Sequence, residues 1–167
     1  MAKKPSAGKA AVKKVVLITG ASSGMGFEAA KELASQGHSV YGAARRVERM
    51  VPLTEYGVHT IELDVTDEEA CKDAVGRVVA ERGRIDVLVN NAGYGSFGTI
   101  EDVEIDEARR QFDVNVFGLA ALTKAVMPRM REQRSGTIVN VSSMGGRLVT
   151  FMGGWYHATK YAVEALS

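Results

Sequence analysis

VVLITGASSGMG, residues 15–26, is the stretch from which the rest of the chain is read. Val15 to Ile18 run without polar alternation, the mark of a strand covered on both faces. Thr19-Gly20 halts the run. A helix follows, with Phe27, Ala30, Leu33 and Ala34 at spacings of three and four and Gly37 as its stop. Backbone amides at a helix N-terminus point outward and can hold a pyrophosphate. Glycine suits such a turn because it permits the tight bend, the close approach of a phosphate, and close packing of helix on strand. Gly20, Ser22, Ser23, Gly24, Met25 and Gly26 are therefore candidate cofactor contacts. The spacing is GxxxGxG and departs from GxGxxG, so the position between strand and helix carries the reading; a bare turn without ligand is the alternative.

Working outward, SVYGAA (39–44) and VHTIELDV (58–65) read as the second and third strands, and IDVLVN (85–90) and GTIVNVSS (136–143) as later ones. Asp67 is placed to cap a helix reaching Glu81, with Ala70, Ala74, Val75 and Val78 on one side. Segments 102–113 and 115–133 read as two further helices. Alternating strands and helices of this size require parallel pairing through right-handed crossovers, hence an α/β, doubly wound parallel sheet. One domain over residues 15–167 is expected, behind a basic tail over residues 1–14.

The second strand ends Ala43-Ala44-Arg45-Arg46. An NAD site wants a carboxylate there for the ribose hydroxyls, and none is present. Two guanidiniums suit a 2′-phosphate instead, so Arg45 and Arg46 favour NADP over NAD. The alternative is a solvated pair, since Glu48 and Arg49 continue the charged run.

The 167 residues are 46% hydrophobic, 25% charged and 7% aromatic, which excludes disordered, fibrous and collagen-like classes. A chain of this size buries about 70% of its unfolded surface and needs no staples. The single cysteine, Cys71, allows no disulfide within the chain and indicates a reducing, cytoplasmic compartment; on its expected helix it reads as an apolar filler. A net charge of +1 gives no reason to expect nucleic acid or an anionic membrane as partner. Residues 1–14 hold five lysines and no acid, and read as a solvated leader without the apolar core of a signal peptide. No apolar run of about 18 residues offers a membrane span. His38, His59 and His157 lack metal-ligand spacing, so no metal is expected.

Tyr156 and Lys160 lie four apart in WYHATKYAVEAL and project from one helix face. A close ammonium favours the phenolate of a tyrosine, which turns a poor acid into a usable one. Ser143 ends the last strand, and ligands of open parallel sheets bind at such carboxyl ends. Its hydroxyl would stabilise charge developing on a substrate carbonyl oxygen. Ser142 competes for that role on geometry alone. Met144, Phe151, Met152 and Trp155 would form an apolar substrate wall.

TGASSGMG, NNAG (90–93), the asparagine of FDVNVFG, VSS and YHATK occur in an order that resembles the short-chain dehydrogenase/reductase family. The resemblance spans residues 15–167 and implies a Rossmann-type sheet of order 3-2-1-4-5. It implies Tyr156 as proton donor or acceptor, and Lys160 as its partner and a ligand of the nicotinamide ribose. Ser143 becomes the substrate-oxygen donor by the family spacing, and Asn115 anchors a water chain to the lysine. Asp64 and Val65 would flank the adenine, and Asn91, Ala92, Gly93 and Tyr156 would contact the cofactor. The substrate would be a small-molecule carbonyl or secondary alcohol, lipophilic by the apolar residues around the site. Family members are longer, with further strands and a substrate loop, so the chain is expected to be a fragment whose last strand leaves an open apolar edge. The full-length form would associate with itself, as family members commonly do. Two other readings stand beside the enzyme: a dinucleotide-binding module without turnover, and a half-domain completed by another chain.

Overall fold

The computed structural model describes residues 12–167. The leader expected over residues 1–14 therefore lies mostly outside the described residues, and Val12 to Lys14 are exposed. Five parallel strands, β1 (Val15–Thr19), β2 (Ser39–Ala44), β3 (His59–Glu62), β4 (Val87–Asn90) and β5 (Thr137–Asn140), form one sheet. Their order is β3-β2-β1-β4-β5, as the family resemblance implies. The chain first steps from β1 to β2 and β3, then returns to pair β4 on the other side of β1, with Leu17 between Tyr41 and Leu88. That reversal opens a crevice at the carboxyl ends of β1 and β4.

Helices α1 (Gly24–Ser35), α2 (Glu68–Arg82), α3 (Ile105–Phe112), α4 (Leu119–Gln133) and α5 (Gly154–Leu166) cover the sheet. Alternate β1 residues face opposite layers. Leu17 packs with Tyr41, Val78, Leu88, Leu122 and Val126. Val16 and Ile18 pack with Ala30, Val40, Met50 and Leu53. Leu17, Ile18, Leu88 and Leu122 are fully buried, each worth about 1.5–3 kcal/mol against exposure. Asp67 caps α2 as its position requires, its Oδ1 accepting from Glu69 N at 2.9 Å and Ala70 N at 3.0 Å.

The structure corrects several element readings. The last strand ends at Asn140, so Ser143 lies beyond it and opens a 3₁₀ turn over Met144–Gly146. The third strand stops at Glu62, and Leu63, Asp64 and Val65 turn toward the crevice. Residues 47–56, unassigned from sequence, wind as a tight 3₁₀ segment with Pro52 inside. The two helices expected at 102–113 and 115–133 are one continuous rod, because a π-helical turn over Asp113–Gly118 joins α3 to α4. This wide turn carries Asn115 and Gly118, both buried, and a Cβ on Gly118 would stand 2.7 Å from Val65 Cγ2.

β5 is the outer strand on its side, paired with β4 through Val89 and Val139, and Val139 is 41% exposed. None of the described helices is long and apolar enough to cross a membrane.

Candidate functional site

The crevice widens into a cavity of about 390 Å³. Of the sequence-predicted contacts it is lined by Gly20, Ser22, Ser23, Gly24, Met25, Arg45, Arg46, Asp64, Val65, Asn91, Ala92 and Gly93. Gly26 is not among the lining residues; a Cβ there would stand 2.5 Å from Gly20 O and overlap Asn91 Nδ2. Gly20 has φ +68, a left-handed turn that strains other residues. Ser23 makes no side-chain cap bond, and no acid occupies the first turn of α1. The amides of Gly24, Met25 and Gly26 therefore open α1 without intrahelical acceptors. Arg45 and Arg46 are exposed and enter no ion pair among the described residues. Free amides, two guanidiniums and a glycine floor fit an anionic dinucleotide.

Two supporting groups escaped the sequence reading. Thr19 is buried, and its Oγ1 accepts from Asn91 N at 3.1 Å and Ala92 N at 3.0 Å, clamping the end of β1 to the end of β4. Asn91 returns the bond, its Nδ2 donating to Thr19 O at 2.9 Å, so its amide braces the glycine turn. Tyr94 also lines the cavity, and burial pushes its phenol above the ordinary value. Nothing in spacing marks Thr19, because a polar residue ending a buried strand also reads as a simple stop. Asp64 lines the cavity while its Oδ1 accepts from Thr66 N at 3.0 Å and Thr66 Oγ1 at 2.8 Å.

The second cluster lies on β5, the segment after it, and α5. Lys160 Nζ donates to Val141 O at 2.9 Å and lies 5.9 Å from the Tyr156 ring centre. Burial holds its ammonium below the ordinary lysine value. Asn115 makes no hydrogen bond to Lys160. Its Oδ1 accepts from Tyr94 N at 3.0 Å, and its Nδ2 donates to Tyr94 O at 2.8 Å and Thr159 Oγ1 at 3.0 Å. A Cβ on Gly93 would stand 3.0 Å from Asn115 Oδ1 and 3.7 Å from Lys160 Nζ, which joins this cluster to the cavity wall.

The two serines differ. Ser143 Oγ accepts from Gly145 N at 3.0 Å, which leaves its own proton to donate elsewhere. Ser142 Oγ is buried beside Gly146 and Glu164. The Tyr156 hydroxyl forms no hydrogen bond among the described residues, and its ring lies 5.5 Å from that of Phe97. Phe97 was not singled out from sequence; it is 62% exposed between two glycines after β4. The expected apolar wall is an exposed rim: Met144 is 82% and Phe151 85% exposed, and Trp155 packs against α3 instead. Met152 holds φ +60, with its carbonyl accepting from Gly98 N at 2.8 Å. Cys71 is buried, and burial pushes its thiol up to about 11, consistent with a filler.

Comparison with known proteins supplies relatives. The family model of the short chain dehydrogenases matches residues 14–167. A 3-ketodihydrosphingosine reductase of Bacteroides thetaiotaomicron is 43% identical over 92% of this chain and 55% of its own length. The crystal structure of a short-chain dehydrogenase from Streptomyces avermitilis is 45% identical, with a TM-score of 0.90 over 94% of this chain and 59% of that one. An alcohol dehydrogenase from Thermococcus sibiricus, complexed with 5-hydroxy-NADP, is 32% identical, with a TM-score of 0.86 over 92% of this chain and 68% of that one. The chain spans about half the length of the curated relatives it matches.

Proposed function

The chain belongs to the short-chain dehydrogenase family, and from that premise we propose that it carries the dinucleotide site and catalytic groups of an NADP-preferring reductase of lipophilic ketones. The observation that carries the reading is Ser143. Its Oγ accepts from Gly145 N and keeps its proton to donate, while Gly145 abuts the Tyr156 ring, whose hydroxyl has no partner among the described residues and which has Lys160 alongside.

The amides opening α1 would hold the pyrophosphate, Arg45 and Arg46 the 2′-phosphate, Asp64 and Val65 the adenosine end, and Tyr156 and Lys160 the nicotinamide ribose. A nicotinamide dinucleotide held there would supply hydride-transfer chemistry at the carbonyl carbon. Ser143 donates a hydrogen bond to the carbonyl oxygen and stabilises its growing negative charge. Tyr156 gives its proton to that oxygen, completing the secondary alcohol, and the Lys160 ammonium stabilises the phenolate left behind. Asn115 holds the backbone of Tyr94 and the hydroxyl of Thr159, and so the distance between cavity wall and α5.

An apolar rim of Phe97, Met144, Leu148, Val149 and Phe151 supports a hydrophobic substrate, as does the lipid ketone in the name of the Bacteroides relative. A cytoplasmic setting suits the buried, free thiol of Cys71. The test follows NADPH oxidation against long-chain and short-chain ketones. Turnover restricted to NADPH and to long-chain ketones is expected. NADPH binding by calorimetry without turnover of any ketone would replace the reductase with a binding module.

A further inference from the structure

His157 follows Tyr156 on α5 and is 5% exposed, yet the reaction above gives it no task. Both ring nitrogens are engaged. The Thr150 backbone N–H donates to Nε2 at 3.0 Å, and the Thr150 hydroxyl lies 2.9 Å from the same nitrogen. Nδ1 stands 3.0 Å from Gly145 O. A backbone amide only donates and a carbonyl oxygen only accepts, so Nε2 bears the lone pair and Nδ1 bears the proton. The ring is thereby held in a single tautomer.

The surroundings are shaped to this ring. A Cβ on Gly145 would stand 2.6 Å from His157 Nδ1 and 3.2 Å from Tyr156 Cε1, and one on Gly153 would stand 2.6 Å from His157 Cδ2. Gly145 is thus bound on its carbonyl side by His157, donates from its amide side to Ser143 Oγ, and abuts the Tyr156 ring.

We propose that His157 is a positioning residue: its Nδ1–H holds Gly145 by the carbonyl, and Gly145 in turn aims the Ser143 hydroxyl at the oxygen that Tyr156 protonates. The inference rests on the ketone-reduction reading and assigns it one more residue. The opposite nitrogen has a separate effect. Through Thr150 it anchors the segment over residues 147–153, which carries the exposed apolar side chains Leu148, Val149 and Phe151. Nδ1 therefore governs turnover and Nε2 governs substrate capture.

Two substitutions separate these roles. His157→Asn places an amide donor where Nδ1 stands and drops the Nε2 acceptor, whereas His157→Gln retains an acceptor near Nε2 and drops the Nδ1 donor. The Gln variant should lose kcat by about ten- to hundredfold with little change in KM, as expected when a catalytic donor is misplaced by a fraction of an ångström. The Asn variant should keep kcat within about threefold and raise KM, because its donor still reaches Gly145. A ring that only supported the fold would lower both variants alike. Side-chain NMR of the imidazole should show the proton on Nδ1, and the Gly145 amide resonance should move in the Gln variant and stay in the Asn variant. Equal kcat in the two variants, or a ring protonated on Nε2, overturns the proposal. The NMR arm needs no substrate. If the unsubstituted protein reduces no ketone, the reductase reading fails by itself, while the Gly145 resonance still decides whether His157 holds that residue.

Discussion

The cavity side of the molecule, built from β1, β2, α1 and the glycine turn, and the catalytic side, built from β5 and α5, handle their polar groups in opposite ways. On the cavity side the donors are left open: the first amides of α1 have no cap bond, and Arg45 and Arg46 have no acid partner among the described residues. On the catalytic side the central donors are committed to their neighbours, Lys160 to Val141, Asn115 to Tyr94 and Thr159, His157 to Gly145. The protons of Ser143 and Tyr156 remain to face a substrate. Open donors on a rigid floor suit a large anion that arrives with its own charge. Committed donors suit chemistry, where a misaligned group is costly.

The largest effect that sharpens this contrast is expected from Tyr156→Phe. Turnover should fall by about 10²–10⁴-fold while NADPH affinity changes far less. Stopped-flow reduction and calorimetry on the same preparation read the two quantities, and an equal loss in both would merge the two sides into one unit. Next is a core truncation beneath both sides. Leu122→Ala should cost about 2–5 kcal/mol in urea unfolding, since that side chain is fully buried. The cavity side alone is addressed by replacing Arg45 and Arg46 with alanine. That change should weaken NADPH by about ten- to hundredfold, at the lower end because both residues are exposed, and leave NADH binding nearly unchanged. Equal losses for the two dinucleotides would show that the arginines do not read the 2′-phosphate.

Two smaller effects concern the catalytic side. Val139→Ala on the exposed strand should cost about 0.5 kcal/mol or less, roughly a surface value. A cost matching that of Leu122→Ala would mean the outer strand is covered in solution. Lys160 supplies a pH signature. Burial lowers its ammonium's value, so between that lowered value and the ordinary lysine value the unfolded chain binds more protons than the native one. Stability contributed by this group therefore rises with pH across that interval, and its burial penalty is fully present below it. Lys160→Met should flatten the rise in urea midpoint measured at stepped alkaline pH; an unaltered slope would assign it to other groups.

Much of the cavity side was legible because its signals are local. A strand, a glycine turn and a helix follow one another without interruption in residues 15–35, and the arginines sit at a strand end that periodicity alone locates. Gly26 stands in the motif as a candidate contact, and only the fold shows why it must be glycine: Gly20 O occupies the space a side chain would take. The catalytic side was legible in its residue types but not in its wiring. Ser142 and Ser143 were equivalent on spacing by themselves, and what separates them is a hydrogen bond to a glycine two residues on and the burial of the other hydroxyl. The π-helical turn escaped notice for the same reason, since the residues around Asn115 favour a helix and nothing in their order specifies a wider one.

Residue order alone determined the alternation of strands and helices, the side of the sheet where a ligand must lie, and the absence of a carboxylate after β2. These depend on periodicity and chirality, which act between near neighbours along the chain. Tertiary structure decided the tautomer of His157, the free proton of Ser143, the burial of Lys160 and the clamp at Thr19. Each depends on which distant backbone group arrives within hydrogen-bonding distance, and that is settled only when the helices pack against the sheet.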